Sequence, residues 1–352
     1  MRHPMTSHPR SSILAATVVL SLTTSPTALA QSFDLNGGVI SESVNRHDPS
    51  VFDRAMDHFN HAQYTAALEG FDTYVQTPLL ADAPSAEREE PRRLEAEYCA
   101  ALCAVYLYHK DAVWRIDQFI DQHPESTWVP KLRWELGNYQ YRRKKWAKAI
   151  DAFNGLTPRH LSKGLRTEFH FKRGHSLFEK SELSEARSDL MKVADDPSAS
   201  PAFLEAARYY LAHIAYAEDR LTTALTAFEA LLVVDAFRNA VPVYIAQILY
   251  DLGRNEELIE RAPEWLGQNH ELRTADALEL HKLFGSALFY ESRCSEAEPH
   301  LEAAWKAADG QQRTPEFSYI VGLSRLNNGH PSTAITALMR STGGKDQLDQ
   351  YA

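Results

Sequence analysis

Gly174-His175-Ser176-Leu177-Phe178 sets a histidine beside a serine and opens like a nucleophile elbow, G-x-S-x-G. That turn needs its last glycine, where this chain has Phe178, and it needs a strand before it, where this chain reads as helix. His58 and His61 stand three apart and share a predicted helix face. A zinc site needs three or four ligands, and no third donor lies nearby in the sequence. The chain contains no H-E-x-x-H, no G-x-x-x-x-G-K-[ST] loop and no paired C-x-x-C. Its three cysteines are Cys99, Cys103 and Cys294. Cys99 and Cys103 are four apart on a predicted helix and read as buried small hydrophobes rather than a strained bridge. Arg142 to Phe153, RRKKWAKAIDAF, gathers cations around a tryptophan, as a single-stranded nucleic-acid surface does. Enzymatic chemistry, a metal and a cofactor are therefore not expected within these residues, and the basic cluster needs a context.

Composition supplies part of that context. The 352 residues hold 37 Lys+Arg against 47 Asp+Glu, a formal charge of −10. Nucleic-acid binders need a basic surface to displace counterions, so this balance argues against one. The first thirty residues stand apart. Arg2 and Arg10 precede a short apolar run, Ile13 to Leu22, and Ala28-Leu29-Ala30 places small residues where a signal peptidase reads. The run is too short for a membrane span, which needs roughly 20 residues, and no later stretch is long enough. The expectation is a signal peptide over 1–30, a flexible leader over 31–50 and export to the periplasm or the periplasmic face of the outer membrane. Beyond Ala30 the chain holds 35 basic and 47 acidic residues, −12.

From residue 51 the chain reads as amphipathic helices joined by short polar turns, and it repeats. A column of small residues, Ala67, Ala112, Ala149, Ala186, Ala224, Ala297 and Ala334, is interrupted only by Leu258, at intervals of 34 to 45 residues. Twelve residues before each stand Ala55, Ala100, Gly137, Gly174, Ala212, Ala246, Gly285 and Gly322. Two small columns at fixed spacing let antiparallel helices cross closely. Four residues after the first column come Phe71, Ile116, Phe153, Leu190, Phe228, Ala262, Leu301 and Leu338, expected to fill the space between neighbouring pairs. Leu136-Gly137, Trp146, Ala149, Phe153 and Leu156 carry the pattern most fully, and it resembles the tetratricopeptide repeat. The resemblance covers about 51–342 and implies an all-α, right-handed TPR solenoid of about eight helix-turn-helix repeats. Repeat 2 departs through an insert from Pro78 to Pro91, and repeat 6 through Leu258, Ala262 and Pro263. RRKK then becomes a turn between the two helices of repeat 3, with Lys148 solvated. Gly343-Gly344 ends repeat 8, and 343–352 reads as the start of a further helix, so the solenoid is expected to continue. The chain also resembles the N-terminal part of large exported TPR proteins of outer-membrane bacteria. Phe119 to Ser126 is the segment most similar to Tol-Pal coordinator and outer-membrane assembly lipoprotein families.

In this fold the first helix of each pair, helix A, lines a concave face. Its positions three before, one after and four after the small residue share one side. The four-after column is Tyr141, Phe178, Tyr216, Tyr250 and Phe289. The one-after column is Asn138, His175, His213, Gln247 and Ser286, and the three-before column adds Trp134, Phe171 and Tyr209. An aromatic ladder beside a polar ladder suits an extended peptide. The same rings would equally serve as spacers packed between repeats, and both readings are open at this point. The functional expectation is a non-enzymatic protein–protein interaction scaffold of the cell envelope, with protein or peptide partners and no nucleic acid. The alternative is the recognition module of a larger enzyme or of a secretion or motility machine.

Overall fold

The computed structural model describes residues 51–76, 86–267 and 272–341. The expected signal peptide, leader and further helix from 343 fall outside the described residues. Among those described there are sixteen α-helices, one 3-10 turn and no strand. They form eight successive A–B pairs. The first four are α1 (Val51–Asn60) with α2 (Tyr64–Gln76), α3 (Ala86–Tyr106) with α4 (Ala112–Gln122), α5 (Val129–Arg142) with α6 (Trp146–Asn154), and α7 (Lys163–Glu179) with α8 (Leu183–Ala194). The last four are α9 (Pro201–Ala217) with α10 (Leu221–Glu229), α11 (Pro242–Asp251) with α12 (Asn255–Leu266), α13 (Thr274–Tyr290) with α14 (Cys294–Ala307), and α15 (Pro315–Asn327) with α16 (Pro331–Ser341). No described helix is long and apolar enough to cross a membrane. Gly174-His175-Ser176 lies inside α7, away from any strand.

Each A–B turn carries one residue at positive φ: Ala62, Tyr108, Lys144, Ser181, Asp219, Gly253, Ser292 and Gly329. In repeat 3 the Lys144 amide donates to the Tyr141 carbonyl and the Lys145 amide to the Gln140 carbonyl, both at 2.9 Å. This is a Schellman closure, which satisfies carbonyls the helix end would leave open. The RRKK run is therefore this turn, and Lys144 is its left-handed residue. In seven pairs the left-handed residue follows the small helix-A residue by seven positions. In repeat 2 Tyr108 follows Ala100 by eight, and α4 begins at Ala112 itself. The turn there takes its register from Ala101, which is also fully buried. The latter part of the expected insert, from Ala86, is helical and belongs to α3.

Both small columns are buried throughout. Their packing differs from the sequence expectation in one respect. The large residue of helix B sits first against the small residue of its own helix A. A Cβ on Gly137 would lie 2.4 Å from the Phe153 ring, on Gly285 2.8 Å from Leu301, and on Gly322 2.6 Å from Leu338. The space a missing side chain leaves is the space the large one occupies. Phe153 also reaches onward, with its ring 5.8 Å from that of Phe169 on α7, so one residue ties its own pair to the next. Cys99 and Cys103 are buried free thiols, pushed far up by burial, Cys103 to about 12.

Two units divide inside α9, between Phe203 and Leu204. In the first, helix B of each pair packs on helix A of the next: α2 on α3, α4 on α5, α6 on α7. The second repeats the rule with α10 on α11, α12 on α13 and α14 on α15.

Candidate functional site

The helix-A face is built differently in the two units. In the first, α5 and α7 supply it. Trp134 is fully buried and packs on Phe153 at 5.9 Å. Asn138 is 1% exposed, and its side-chain oxygen accepts from the Lys172 ammonium at 2.6 Å. Lys172 also donates to Glu168 and lies over the rings of Trp134 and Tyr141, each at 5.7 Å. Burial pulls its pKa down against the pull of Glu168. Tyr141 pairs its hydroxyl with His175 Nδ1 at 2.6 Å. Phe171 is buried against Phe203 at 5.1 Å, and Phe178 is half-buried. The aromatic and polar ladders are thus joined here by a lysine the pattern reading passed over. Its signal was the spacing: Lys172 stands four after Glu168, where helical side chains meet.

In the second unit, Tyr209 stacks on Phe237 at 4.7 Å and is 1% exposed. His213 sits edge-on to Tyr209, Phe228 and Tyr244 at 4.5, 5.0 and 4.5 Å. Burial alone drives its pKa down to about 3, so it is neutral at ordinary pH. Ser286 is also buried. The outer positions form a different surface. Asp251, exposed at the end of α11, accepts from the Tyr216 hydroxyl at 3.2 Å and from the Gln247 amide at 2.8 Å. Tyr250 bonds through its hydroxyl to Tyr290, their rings 6.2 Å apart. Both phenols are raised, by burial first and then by neighbouring groups that include Glu316. Phe289 is half-buried beside Tyr290 at 5.7 Å.

Of the thirteen positions read as groove from the sequence, seven are buried: Trp134, Asn138, Phe171, His175, Tyr209, His213 and Ser286. They are core and second-layer groups, and a partner reaches none of them without repacking. Six remain half-buried: Tyr141, Phe178, Tyr216, Gln247, Tyr250 and Phe289. The three-before positions and all one-after positions except Gln247 close, which spacing within one helix does not reveal. Asp251, Tyr290 and Glu316 join the face although the columns omitted them. Tyr290 adjoins Phe289 in sequence, and Asp251 is one place beyond Tyr250, just outside the spacing used.

Elsewhere, His58 and His61 stay on the surface of the first pair, bonded to the Gln63 side chain at 2.5 Å and the Asp57 carbonyl at 2.8 Å. Among the described residues no three His, Cys, Asp or Glu side chains gather as metal ligands do.

No family model matches the chain, and no curated protein matches it. Solved helical-repeat structures resemble it distantly. The apo form of RapI shares 12% identity, with 82% of this chain and 84% of that one covered and a TM-score of 0.49. The C-terminal part of a TPR repeat-containing protein from Cytophaga hutchinsonii shares 12%, covering 85% and 98%, at 0.41. The P58(IPK) TPR domain shares 15%, covering 84% and 80%, at 0.30. The assignment of fold rests on the chain itself: eight A–B pairs, two buried small columns and a left-handed residue in every turn make it an all-α array of helix-turn-helix repeats with a tetratricopeptide-like pattern.

Proposed function

We propose that this chain is a non-enzymatic interaction scaffold that holds a basic segment of a partner protein on the outer helix-A face of its second unit. The observation that carries this is the tyrosine–acid network in which half-buried Tyr216, Gln247, Tyr250 and Tyr290 surround the exposed Asp251. Tyrosines offer large, rigid contact area at small entropic cost, with a polar handle at the tip. Asp251 and Glu316 set a negative potential beside them, in a chain that carries −10 overall. A segment bearing Lys or Arg complements that potential, and its on-rate falls as salt rises. The N-terminal residues add a second part to the reading: Arg2, Arg10, the Ile13–Leu22 run and Ala28-Leu29-Ala30 support export, which puts the partner in the cell envelope.

Capture from envelope fractions on the chain from residue 31, followed by titration of the recovered partner, tests the proposal. Tyr216→Ala should weaken binding by about 1–2 kcal/mol, roughly tenfold, with helical content kept. Asp251→Asn should weaken it too and flatten its salt dependence. A lowered melting temperature with unchanged affinity, measured below the melt, sinks the groove reading and makes Tyr216 a packing spacer.

A further inference from the structure

A cavity of about 310 Å³ opens beside α7 in the first unit, lined by Lys163, Arg166, Thr167, His170, Lys192 and Asp196. Four of these fall at i, i+3, i+4 and i+7 along α7, one face of a helix. Lys192 comes from the last turn of α8, and Asp196 lies just beyond that helix. The lining therefore holds three fixed cations against one carboxylate.

All of these groups but Lys163 are held by hydrogen bonds of their own. Arg166 is anchored through Nε to the Pro158 carbonyl at 3.2 Å and through Nη2 to the Leu161 carbonyl at 3.2 Å. Those bonds fix the guanidinium and leave Nη1 with no protein partner among the described residues. Asp189, fully buried, accepts from His170 Nδ1 at 2.9 Å, from Arg173 Nε at 2.5 Å and from the Lys192 ammonium at 3.2 Å. Burial alone would raise the Asp189 carboxyl, but the bonds from His170 and Arg173 outweigh it and hold it ionised. Asp196 accepts from Thr167 Oγ1 at 2.6 Å and from the Ser198 amide and hydroxyl at 2.9 and 2.7 Å. The Thr167 bond, then those from Ser198, take it down to about 2.

The orientation of His170 identifies the ligand. The residue is 8% exposed, and its Nδ1 faces a carboxylate, which accepts only. Nδ1 therefore carries a proton and donates it to Asp189. Nε2 has no protein partner among the described residues, in a side chain that lines the cavity. A carboxylate or sulfate ligand only accepts, so it suits the ring only where Nε2 carries a proton. A phosphate group suits either form of the ring: its oxygens accept from an Nε2–H, its P–OH donates to a bare Nε2, and its charged oxygens meet the cations. Water occupies about 30 Å³ per molecule, so a phosphate of roughly two to three times that size leaves room for a small organic group.

We propose that this cavity binds a phosphate group, as orthophosphate or as the end of a small phosphomonoester, held by Lys163, Arg166 and Lys192 and oriented by His170. The site is separate from the tyrosine–acid face of the second unit and does not depend on that reading.

The test titrates the full chain with orthophosphate, glycerol 3-phosphate, sulfate and acetate at matched ionic strength, against chloride. Binding is followed by calorimetry and by the ring-nitrogen resonances of His170. Lys163→Gln and Lys192→Gln, both on exposed side chains, should together weaken phosphate binding at least about tenfold and leave the phosphate-free melt in place. His170→Gln should weaken phosphate binding and narrow its margin over sulfate, because only phosphate can both give and accept a hydrogen bond at the ring. The glycerol 3-phosphate arm separates the two sources: tighter binding than orthophosphate assigns the site to a monoester, weaker binding to the free ion. Phosphate binding that does not saturate above the chloride control, that sulfate equals in the wild-type chain, or that the double lysine variant leaves unchanged overturns the proposal.

Discussion

Replacing Gly137 by alanine adds one methyl group where the structure has no room for it. The new Cβ would lie 2.4 Å from Phe153 Cε1, 2.7 Å from Cδ1 and 2.8 Å from Cζ. Carbon atoms rest comfortably at about 3.5–4.0 Å, so the ring must retreat by roughly 1 Å. It has nowhere to go: Phe153 is fully buried, between Trp134 at 5.9 Å and Phe169 at 5.8 Å. Overpacking of this kind costs about 1–3 kcal/mol, and the upper end applies to a fixed ring. Alanine returns about 1 kcal/mol of helix propensity, for a net loss near 2 kcal/mol. Gly174 is the internal control. Its added Cβ meets Leu190 Cγ at 3.0 Å and Asp189 Cβ at 3.2 Å, a crowding relieved by a few tenths of an ångström. There the propensity gain cancels the strain, and Gly174→Ala should leave stability within about 0.5 kcal/mol of wild type. Urea titration followed by circular dichroism compares the two, and amide exchange across α5 and α6 locates the loss, since each repeat answers mainly to its neighbours. Phe153→Leu in the Gly137→Ala background should recover part of the loss, a coupling expected only of groups in contact. Equal effects of the two glycine substitutions, or no coupling to Phe153, would refute the packing argument.

Three further outcomes follow from particular residues. His213 has a folded pKa of about 3 against about 6.5 unfolded, so below pH 6.5 the unfolded chain takes up a proton the fold refuses. Its share of stability is whole above pH 6.5 and falls by up to about 1.4 kcal/mol per unit towards pH 3; His213→Leu should flatten the urea midpoint over that window, and unchanged slopes would count against a buried neutral ring. Ser181 and Gly253 hold the same left-handed turn position at φ 62° and 70°. Ser181→Gly should raise stability and Gly253→Ala lower it, each by about 0.5–1 kcal/mol in denaturant titration, and effects of the same sign would contradict the turn assignment. At the tyrosine–acid face, Tyr216→Phe keeps the ring and loses the bond to Asp251, so partner affinity should fall less than for Tyr216→Ala while the melt stays put in calorimetry.

The order of helices, their pairing and seven of the eight turn registers were legible in the residues because a helix-turn-helix repeat is local. A small residue and its large partner sit sixteen positions apart within one repeat, and a repeat answers mainly to its neighbours. Pattern within one repeat therefore carries the packing, as Gly137 with Phe153 and Gly285 with Leu301 show. What spacing could not decide is which side chains on a shared helix face stay open. Trp134, His213 and Ser286 stand on the same helix-A side as Tyr216 and Tyr250, yet they are closed, Trp134 against Phe153 and His213 against Phe228 and Tyr244 on facing helices. The same limit hid Lys172, whose ammonium reaches back thirty-four residues to Asn138, and His170, which gains its meaning from Asp189 on the facing helix. Burial and hydrogen bonding are properties of pairs of surfaces, and a single helical period describes only one surface at a time. In repeat 2 even the turn moved by one residue, because Ala100 and Ala101 are both small enough to pack and only the three-dimensional closure chose between them.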